Sequence, residues 1–479
     1  MFKLGLGLAV SIFTSVAIAD DYQDWLQSQS SQYNQYKKSL DEEFSDMLKK
    51  DWEAFQSMST PSPYKKPKPI ELPRVVKPII TPKQEIKKSP IVVVEPIKKT
   101  VIPETIQEIE KVKKIKDFYE VNFDFYSTPI VIQYDKNTQF ELSSIDKNSI
   151  SKFWDMMSKT NYNKLIQQIN IEKEKLSLND WAEYQFIYKL GLNIFKDSNS
   201  ANLFTWFTLV KMGYDSKVGY SNDTIYLMST IQQNLFQVAF FTLNKKKYYI
   251  LTPNGKNENV GSIYTYAGDY PKATNELSFN ITKELKLYNH LTTKSLNFKY
   301  NNQNYTINTQ YSKDLVEFYK SFPQTDYTVY FSTQNSTPLS NSLLVKLAPL
   351  VKGKSEIEAV NLLLRFVQTS FKYKTDQTQF NHEKVMFPEE TINYPYSDCE
   401  DRSILFSYLV RNLLNLEVIG VKYNDHLATA VALSSNISGD SFKYKNKQYT
   451  IADATYVNSN AGMSMPKYKN SNFKIIALR

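Results

Sequence analysis

The sequence predicts an α+β protein, and three patterns support that prediction. Apolar residues at helical spacing, such as Trp154 and Trp181, indicate helices between residues 150 and 195. Side chains over 295–311 instead alternate with the period of two that is typical of a β-hairpin. Residues 399–455 read as one helix followed by two strands. Helices and antiparallel strands therefore occur in separate runs, as α+β folds require.

The first residues have the pattern of an export signal. Lys3 precedes an apolar run from Leu4 to Val16, and small residues at Ala17 and Ala19 suit signal peptidase. The run is short for a membrane span, and no later segment approaches the length of a transmembrane helix. We therefore expect export to the periplasm or cell surface of a bacterium. We do not expect an integral membrane protein.

Two unlike segments follow the export signal. Residues 22–58 place apolar side chains at intervals of three and four, which predicts an amphipathic helix. Residues 61–103 hold ten of the nineteen prolines, which predicts an extended linker. The helix either docks on the globular part of the chain or, together with the linker, binds an envelope partner.

The net charge of +9 does not indicate a nucleic-acid-binding protein. Between residues 61 and 103 the chain has ten Lys or Arg against three Glu, so most of the excess lies in the linker. The remainder is close to neutral and does not indicate a basic stripe. We expect no nucleic-acid partner.

Short strands are predicted on both sides of the central helices. FDFYSTPIVIQY (123–134) reads as strands, and the hairpin over 295–311 turns at Asn301-Asn302. DYTVYFST (326–333) adds another predicted strand. These patterns predict a mostly β module over 257–340.

Cys399 is the only cysteine of the chain, so no disulfide can form within it. An unpaired thiol in an exported protein is either accidental or reactive. Ser397 and Glu400 have the spacing of a capping box, which predicts a helix with Cys399 in its first turn. The helix dipole there favours a thiolate, whereas the neighbouring carboxylates oppose it. A histidinium is the expected counter-charge.

The chain contains three histidines, and His426 is the candidate partner of the thiol. It opens the strand HLATAVAL, and Asp453 ends the next strand, KQYTIADATY. In an antiparallel pair the two residues face each other, so that Asp453 could orient the imidazole. His382 either borders the cleft or is a solvated loop residue, and His290 has no assigned role.

A helix with the thiol, a strand with the histidine and a strand with the aspartate follow one another over 345–460. This order resembles the transglutaminase-like superfamily of papain-like cysteine enzymes. The resemblance implies a helix packed on an antiparallel sheet, with Cys399 as nucleophile, His426 as general base and Asp453 as orienting acid. The superfamily includes peptidases, amidases and protein-crosslinking enzymes.

The residues around the cysteine, DCED, are similar to those of bacterial transglutaminase-like cysteine proteinases that trim surface adhesins. In those enzymes, carboxylates beside the cysteine bind calcium, which implies Asp398 and Glu400 as ligands here. The alternative is that Glu400 caps the helix and pairs with Arg402. No cofactor other than calcium is expected. For the oxyanion we expect the backbone N–H of Cys399, with Tyr394 or Tyr396.

Residues 179–254 repeat the hydrophobic pattern of the catalytic segment. In that alignment the three catalytic positions fall on Asp197, Asn234 and Thr252, which cannot perform the chemistry. One interpretation is a degenerate, non-catalytic copy, and the other is two unrelated α/β pieces.

The sequence therefore predicts an exported thiol peptidase or amidase that cleaves amide bonds of envelope or extracellular proteins through an acyl-enzyme. The alternatives are a non-enzymatic envelope scaffold that retains the fold and an amine-transferring protein crosslinker. The predicted segments are a signal peptide (1–19), an amphipathic helix (20–60), a Pro/Lys-rich linker (61–111), an α/β domain that is the candidate degenerate copy (112–256), a β-rich module (257–340) and the catalytic domain (341–479).

Overall fold

The computed structural model shows a mixed α+β fold with antiparallel sheets. The predicted signal peptide and residues 62–111 of the predicted linker lie outside the described residues. Among the described residues, no helix is long and apolar enough to cross a membrane. The described residues are 28–29, 31–33, 35–50, 52–61, 117–138, 141–255 and 260–478.

The helices and strands are numbered in chain order. The described helices are α1 (35–48), α2 (Lys147–Ser158), α3 (Tyr162–Leu176), α4 (Asp180–Phe195), α5 (Ser198–Lys211), α6 (Lys313–Lys320), α7 (Tyr327–Ser332), α8 (Thr337–Val351), α9 (Glu356–Ser370), α10 (Asp376–Gln379), α11 (Pro388–Asn393) and α12 (Cys399–Leu414). The described strands are β1 (Trp52–Gln56), β2 (Met58–Ser59), β3 (Phe118–Phe125), β4 (Thr128–Asp135), β5 (Ser216–Ser221), β6 (Thr224–Ser229), β7 (Ala239–Leu243), β8 (Lys246–Leu251), β9 (Ser262–Tyr266), β10 (Leu291–Tyr300), β11 (Gln303–Ser312), β12 (Lys372–Tyr373), β13 (Tyr396–Ser397), β14 (Val418–Lys422), β15 (Leu427–Val431), β16 (Ser441–Tyr444), β17 (Lys447–Ala452) and β18 (Lys474–Ile476).

Two antiparallel sheets dominate the fold. The first has the order β1-β9-β5-β6-β8-β7-β2, and the second has the order β16-β17-β15-β14-β18. Two hairpins, β3-β4 and β10-β11, and a short parallel pair, β12-β13, complete the pairing in the described residues. The predicted hairpin around Asn301-Asn302 is confirmed, and both turn residues have the positive φ of a type I′ turn.

The first sheet closes on itself. Only Ser57 separates β1 from β2, yet β1 pairs with β9 and β2 with β7, at opposite ends of the strand order. The prediction of a helix as far as residue 58 is therefore wrong beyond residue 48. Two more helical turns would be solvated, whereas the edges of β9 and β7 offer unpaired backbone groups that a strand can satisfy.

Helix α1 docks on the first half of the globular fold. Phe44 and Leu48 are buried, and the Phe44 ring lies 4.6 Å from the ring of Trp154. Asp41 and Lys211 form a buried ion pair behind this contact. Of the two interpretations of the amphipathic helix, the structure thus shows docking on its own chain.

The two halves of the fold repeat the same elements. Adding 175 to the residue numbers of α3, Tyr162–Leu176, gives those of α8, Thr337–Val351. The same shift brings β3, β4 and α4 onto β10, β11 and α9 within two residues at each end. Adding 202 to the residue numbers of α5, β5 and β6 gives those of α12, β14 and β15 within one residue. Adding 201 to the residue numbers of β7 and β8 gives those of β16 and β17 in the same way.

The strand pairing shows that the two halves also share their strand order and register. The order β9-β5-β6-β8-β7 corresponds to β18-β14-β15-β17-β16. Leu227 lies opposite Leu251 in the first sheet, and the residues at the shifted positions, Thr429 and Ala452, lie opposite each other in the second.

Two insertions distinguish the second half. The difference in residue number between corresponding elements is 175 up to the end of α9 and 202 at α12. The second half therefore has 27 extra residues between these two helices. They carry β12, α10, α11 and β13. The difference in residue number is 201 at β17 and 210 at β18, so the second half has nine further extra residues between these strands.

The predicted β-rich module over 257–340 does not form one unit. Strand β9 belongs to the first sheet, whereas the β10-β11 hairpin packs on α8 and α9. The predicted strand DYTVYFST forms α7 instead. A short apolar run does not distinguish strand from helix by its period, and here packing of Val329 and Tyr330 into the core decides.

Candidate active site

Helix α12 begins at Cys399, but its cap differs from the predicted one. Asp398 is the N-cap, and the carboxylate of Asp401 accepts the N–H of Asp398 at 3.1 Å and that of Met386 at 2.9 Å. Ser397 lies in β13 opposite Tyr373 and is engaged there. The Ser397–Glu400 capping box is therefore wrong by one residue, and Cys399 is the first residue of the helix.

His426 and Asp453 form a buried hydrogen-bonded pair. The Nε2 atom of His426 lies 2.8 Å from Oδ2 of Asp453. The other carboxylate oxygen accepts the backbone N–H groups of Thr455 and Tyr456, at 2.9 and 3.2 Å. These bonds hold the carboxylate against the imidazole from two sides.

The geometry of this pair differs from the predicted direct cross-strand pairing. Thr429 lies opposite Ala452, so His426 just before β15 reaches a residue just past the end of β17. The observed register differs by two residues from the one in which His426 and Asp453 would face each other directly. The contact therefore depends on the loop after β17, which the alternation of the strand does not specify.

The thiol lies beside the histidine segment. The backbone of Leu427, the residue after His426, hydrogen-bonds to the sulfur of Cys399 and lowers its pKa. The Nδ1 atom of His426 is buried and has no hydrogen-bond partner among the described residues. Cys399, His426 and Asp453 are exposed by only 2%, 1% and 2%, so the site is closed to solvent.

The surroundings of Cys399 favour the protonated thiol. Its Sγ donates to Oε2 of Glu400 at 2.7 Å. Burial, followed by the charges of Glu400 and Asp398, raises the pKa of Cys399 well above its usual value. Burial and these charges therefore oppose the thiolate that was predicted at the start of the helix.

A cluster of buried carboxyl groups surrounds the start of α12. Oxygens of Asp376, Glu383 and Glu400 lie within 4.8 Å of one another, and so do those of Asp376, Asp398 and Asp401. Burial raises the pKa of Asp376 to about 10 and that of Asp401 to about 7. Both carboxylate oxygens of Asp398 are buried and have no hydrogen-bond partner in the described structure.

No sequence pattern predicted Asp376 or Glu383 as site residues. Both lie in the 27-residue insertion between α9 and α12, for which the first half has no counterpart among its described residues. The length difference between the two halves is the signal that could have drawn attention to this segment.

Arg402 does not pair with Glu400. It is buried, and it donates to the hydroxyl of Ser397 at 3.1 Å and to the carbonyls of Gln368 and Phe371 at 3.2 and 2.8 Å. These carbonyls belong to the end of α9, where backbone acceptors lack helical partners. The predicted ion pair is therefore wrong, because capping a neighbouring helix satisfies the guanidinium.

Gln368 is a third residue that no sequence pattern predicted. Its Nε2 lies 3.0 Å from the carbonyl oxygen of Asp453 and 2.9 Å from that of Tyr456. Its Oε1 accepts the N–H of Asn458. Gln368 thereby fastens the loop that carries Asp453 to the end of α9.

Neither predicted oxyanion tyrosine contacts Cys399 in the described structure. Tyr394 follows α11 and packs against Phe380 with the ring centroids 5.0 Å apart. Tyr396 lies in β13 below the ammonium group of Lys374, 4.1 Å from its ring. Tyr373 is closer to the site: burial and, when the sulfur is ionised, the charge of Cys399 raise its pKa, and its hydroxyl is buried without a partner among the described residues.

The remaining histidines lie apart from the site. His382 is exposed, and its Nδ1 lies 2.8 Å from the carbonyl oxygen of Phe380. This agrees with the solvated-loop interpretation. His290 is exposed and contacts Asp314.

The repeat corrects one counterpart in the first half. Because β6 and not the segment 234–241 corresponds to β15, the counterpart of His426 is Thr224 rather than Asn234. Similar apolar patterns misled the sequence alignment. The counterpart of Cys399 is Asp197, which caps α5 by accepting the N–H of Ser200 at 2.8 Å.

The second half thus combines a His–Asp pair, an adjacent thiol and a carboxylate cluster. The residues of the first half that correspond to Cys399, His426 and Asp453 are Asp197, Thr224 and Thr252. These three residues cannot supply a nucleophile and a base. A thiol, an imidazole and an orienting acid are the groups that nucleophilic acyl transfer requires. No family model, curated protein or solved structure matches this chain.

Proposed function

We propose that the second half is a thiol-dependent peptidase or amidase of the transglutaminase-like, papain-like type. Its substrates would be amide bonds of envelope or extracellular proteins, reached after export. The hydrogen bond from His426 to Asp453, beside the residue whose backbone contacts the Cys399 sulfur, is the observation that supports this proposal most.

The groups present can perform the reaction in two steps. Cys399 attacks the amide carbonyl, its proton passes to Nδ1 of His426, and the imidazolium then protonates the leaving amine. The thioester that remains is attacked by water, with His426 as the base. Hydrolysis is favoured over crosslinking because water is the abundant acceptor.

The carboxylate cluster fits a calcium ion. The unpartnered, buried oxygens of Asp398 need a cation or a donor, and carboxylate oxygens are the ligands that calcium prefers. Asp376 would hold the ion either with Glu383 and Glu400 or with Asp398 and Asp401. The ion would supply positive charge that offsets the carboxylates which keep the thiol protonated.

Proteolysis of a defined protein pool tests this function. The full mature chain is incubated with proteins extracted from bacterial envelopes, with calcium or with a chelator, and new N-termini are identified by mass spectrometry. We expect cleavage that is abolished in Cys399→Ser and His426→Ala and reduced on the order of a thousandfold or more in Asp453→Asn.

His290→Ala is the matched control, because this histidine is exposed and contacts Asp314. Cleavage by Cys399→Ser at the wild-type rate would refute the proposal. If the wild type incorporates a fluorescent amine into the pool and releases no new N-termini, the crosslinker alternative holds. Binding without either product would support the scaffold alternative.

A further inference from the structure

The longer loop between β17 and β18 places a tyrosine on the candidate catalytic histidine. The ring of Tyr468 stacks on that of His426 with centroids 4.8 Å apart and an angle of 14° between the planes. Tyr423 stacks on Tyr468 in turn, at 4.8 Å and 27°. Both tyrosines are buried, so this stack forms one wall of the closed site.

Tyr468 is held in this position by the residue that precedes the histidine. Its hydroxyl donates to Oδ1 of Asp425 at 3.0 Å, and Lys467 forms an ion pair with the other oxygen of Asp425. A short 3-10 turn, Pro466–Tyr468, presents both side chains together. The ring is therefore fixed at both ends: its face lies on the imidazole, and its hydroxyl is bound to the adjacent residue.

The comparison of the two halves links this tyrosine to the His–Asp pair. The segment between β17 and β18 is nine residues longer than its counterpart between β8 and β9. The half with the longer segment is the half that has histidine and aspartate at the paired positions; the other has Thr224 and Thr252.

We propose that Tyr468 is a positioning residue that holds the ring of His426 against Asp453, and that its loop closes the thiol site until substrate displaces it. A flat aromatic face restricts rotation of the imidazole and stabilises the imidazolium that forms during the reaction. It also shields the His–Asp hydrogen bond from water. The effect of Tyr468 on catalysis rests on the proposed function, whereas its effects on the orientation of His426 and on access to Cys399 do not.

Nuclear magnetic resonance of the three histidines tests the positioning role without any substrate. In the wild type we expect the Nε2 proton of His426 downfield and protected from exchange with water. Tyr468→Phe keeps the ring stack and should preserve this signal, whereas Tyr468→Leu should speed its exchange on the order of tenfold or more. The signals of His290 and His382 serve as internal controls.

Labelling of Cys399 with a bulky maleimide tests the closing role. Asp425→Asn weakens the attachment of Tyr468 and Lys467, so we expect labelling to be faster on the order of tenfold. Lys469→Met is the matched control, because this lysine lies in the same loop and pairs with Asp440 instead. An unchanged rate in Asp425→Asn, or an equal gain in Lys469→Met, would refute the closing role.

Unchanged exchange of the His426 proton in folded Tyr468→Leu would refute the positioning role. If Tyr468→Leu does not fold, exchange in Asp425→Asn decides, since it must then exceed that in Lys469→Met. Because neither readout requires turnover, an inactive wild type would overturn the proposed function alone. If the wild type is active, we expect kcat to fall in Tyr468→Leu and to be preserved in Tyr468→Phe.

Discussion

Burial, followed by the charges of the neighbouring carboxyl groups, raises the pKa of the Cys399 sulfur. Buried carboxyl groups gather at the start of α12, while the nearby cations are already engaged: Arg402 by the carbonyls of α9 and Lys384 by Glu390. A helix start alone would favour a thiolate.

Calcium should stabilise this protein through Asp398. At a free calcium concentration 100 times the dissociation constant, the free energy of unfolding should rise by about 2.7 kcal/mol. In Asp398→Asn we expect this gain to disappear, while stability in chelator is unchanged, because burial already raises the pKa of Asp398 well above its usual value and favours a neutral group at this position. Thermal unfolding with calcium and with chelator measures both effects.

Asp155→Asn is the control, since this carboxylate forms a surface pair with Lys159. It should respond to calcium as the wild type does. An undiminished calcium response in Asp398→Asn would exclude this residue as a ligand.

At the scale of elements, α1 and the strand that follows it complete the first half. The segment 52–59 closes the sheet between β9 and β7, and α1 covers aromatic residues that would otherwise be exposed. The segment thereby covers part of each outer edge, so that fewer backbone groups remain that could pair with another chain. In the second half, β16 and β18 remain the outer strands of the sheet among the described residues.

Phe44 should make a large contribution to stability. Its ring contacts the rings of Trp154, Trp206 and Tyr266 and is buried. We expect Phe44→Ala to lower the free energy of unfolding by about 3–5 kcal/mol, the usual cost of removing a buried aromatic ring. Urea unfolding of the mature chain measures this change.

Tyr36→Ala on the exposed face of α1 provides the comparison and should cost about 0.5 kcal/mol or less. A cost below about 1 kcal/mol for Phe44→Ala would show that α1 does not dock in solution.

At the scale of the whole molecule, the two halves of the fold repeat the same elements, and the second half carries the candidate site. Equal strand registers through four consecutive strands support common topology better than the apolar pattern could. The insertions that distinguish the second half supply Asp376, Glu383 and Tyr468, all beside the thiol or the histidine. The first half shares one hydrophobic core with the site, including Cys399 and Leu427.

The first half should support the fold and take no part in the chemistry. Asp197→Ala removes the cap of α5 and should lower the free energy of unfolding by about 1 kcal/mol. Because Asp197 is the counterpart of Cys399, a catalytic role would instead appear as lost cleavage. We expect the cleavage rate at a temperature below unfolding to equal that of the wild type, as measured on the protein pool. A tenfold loss at unchanged secondary structure would contradict this assignment.

Local sequence patterns determined the central helices, the Asn301-Asn302 hairpin and the order of thiol, histidine and aspartate, because periodicity and turn chemistry act over a few residues. Tertiary structure alone decided the strand 52–59, helix α7, the role of Arg402 and the carboxylates that meet at α12. Each depends on a hydrogen-bond partner or a buried surface far away in the chain. Distant partners leave no period in the sequence, so packing had to choose among them.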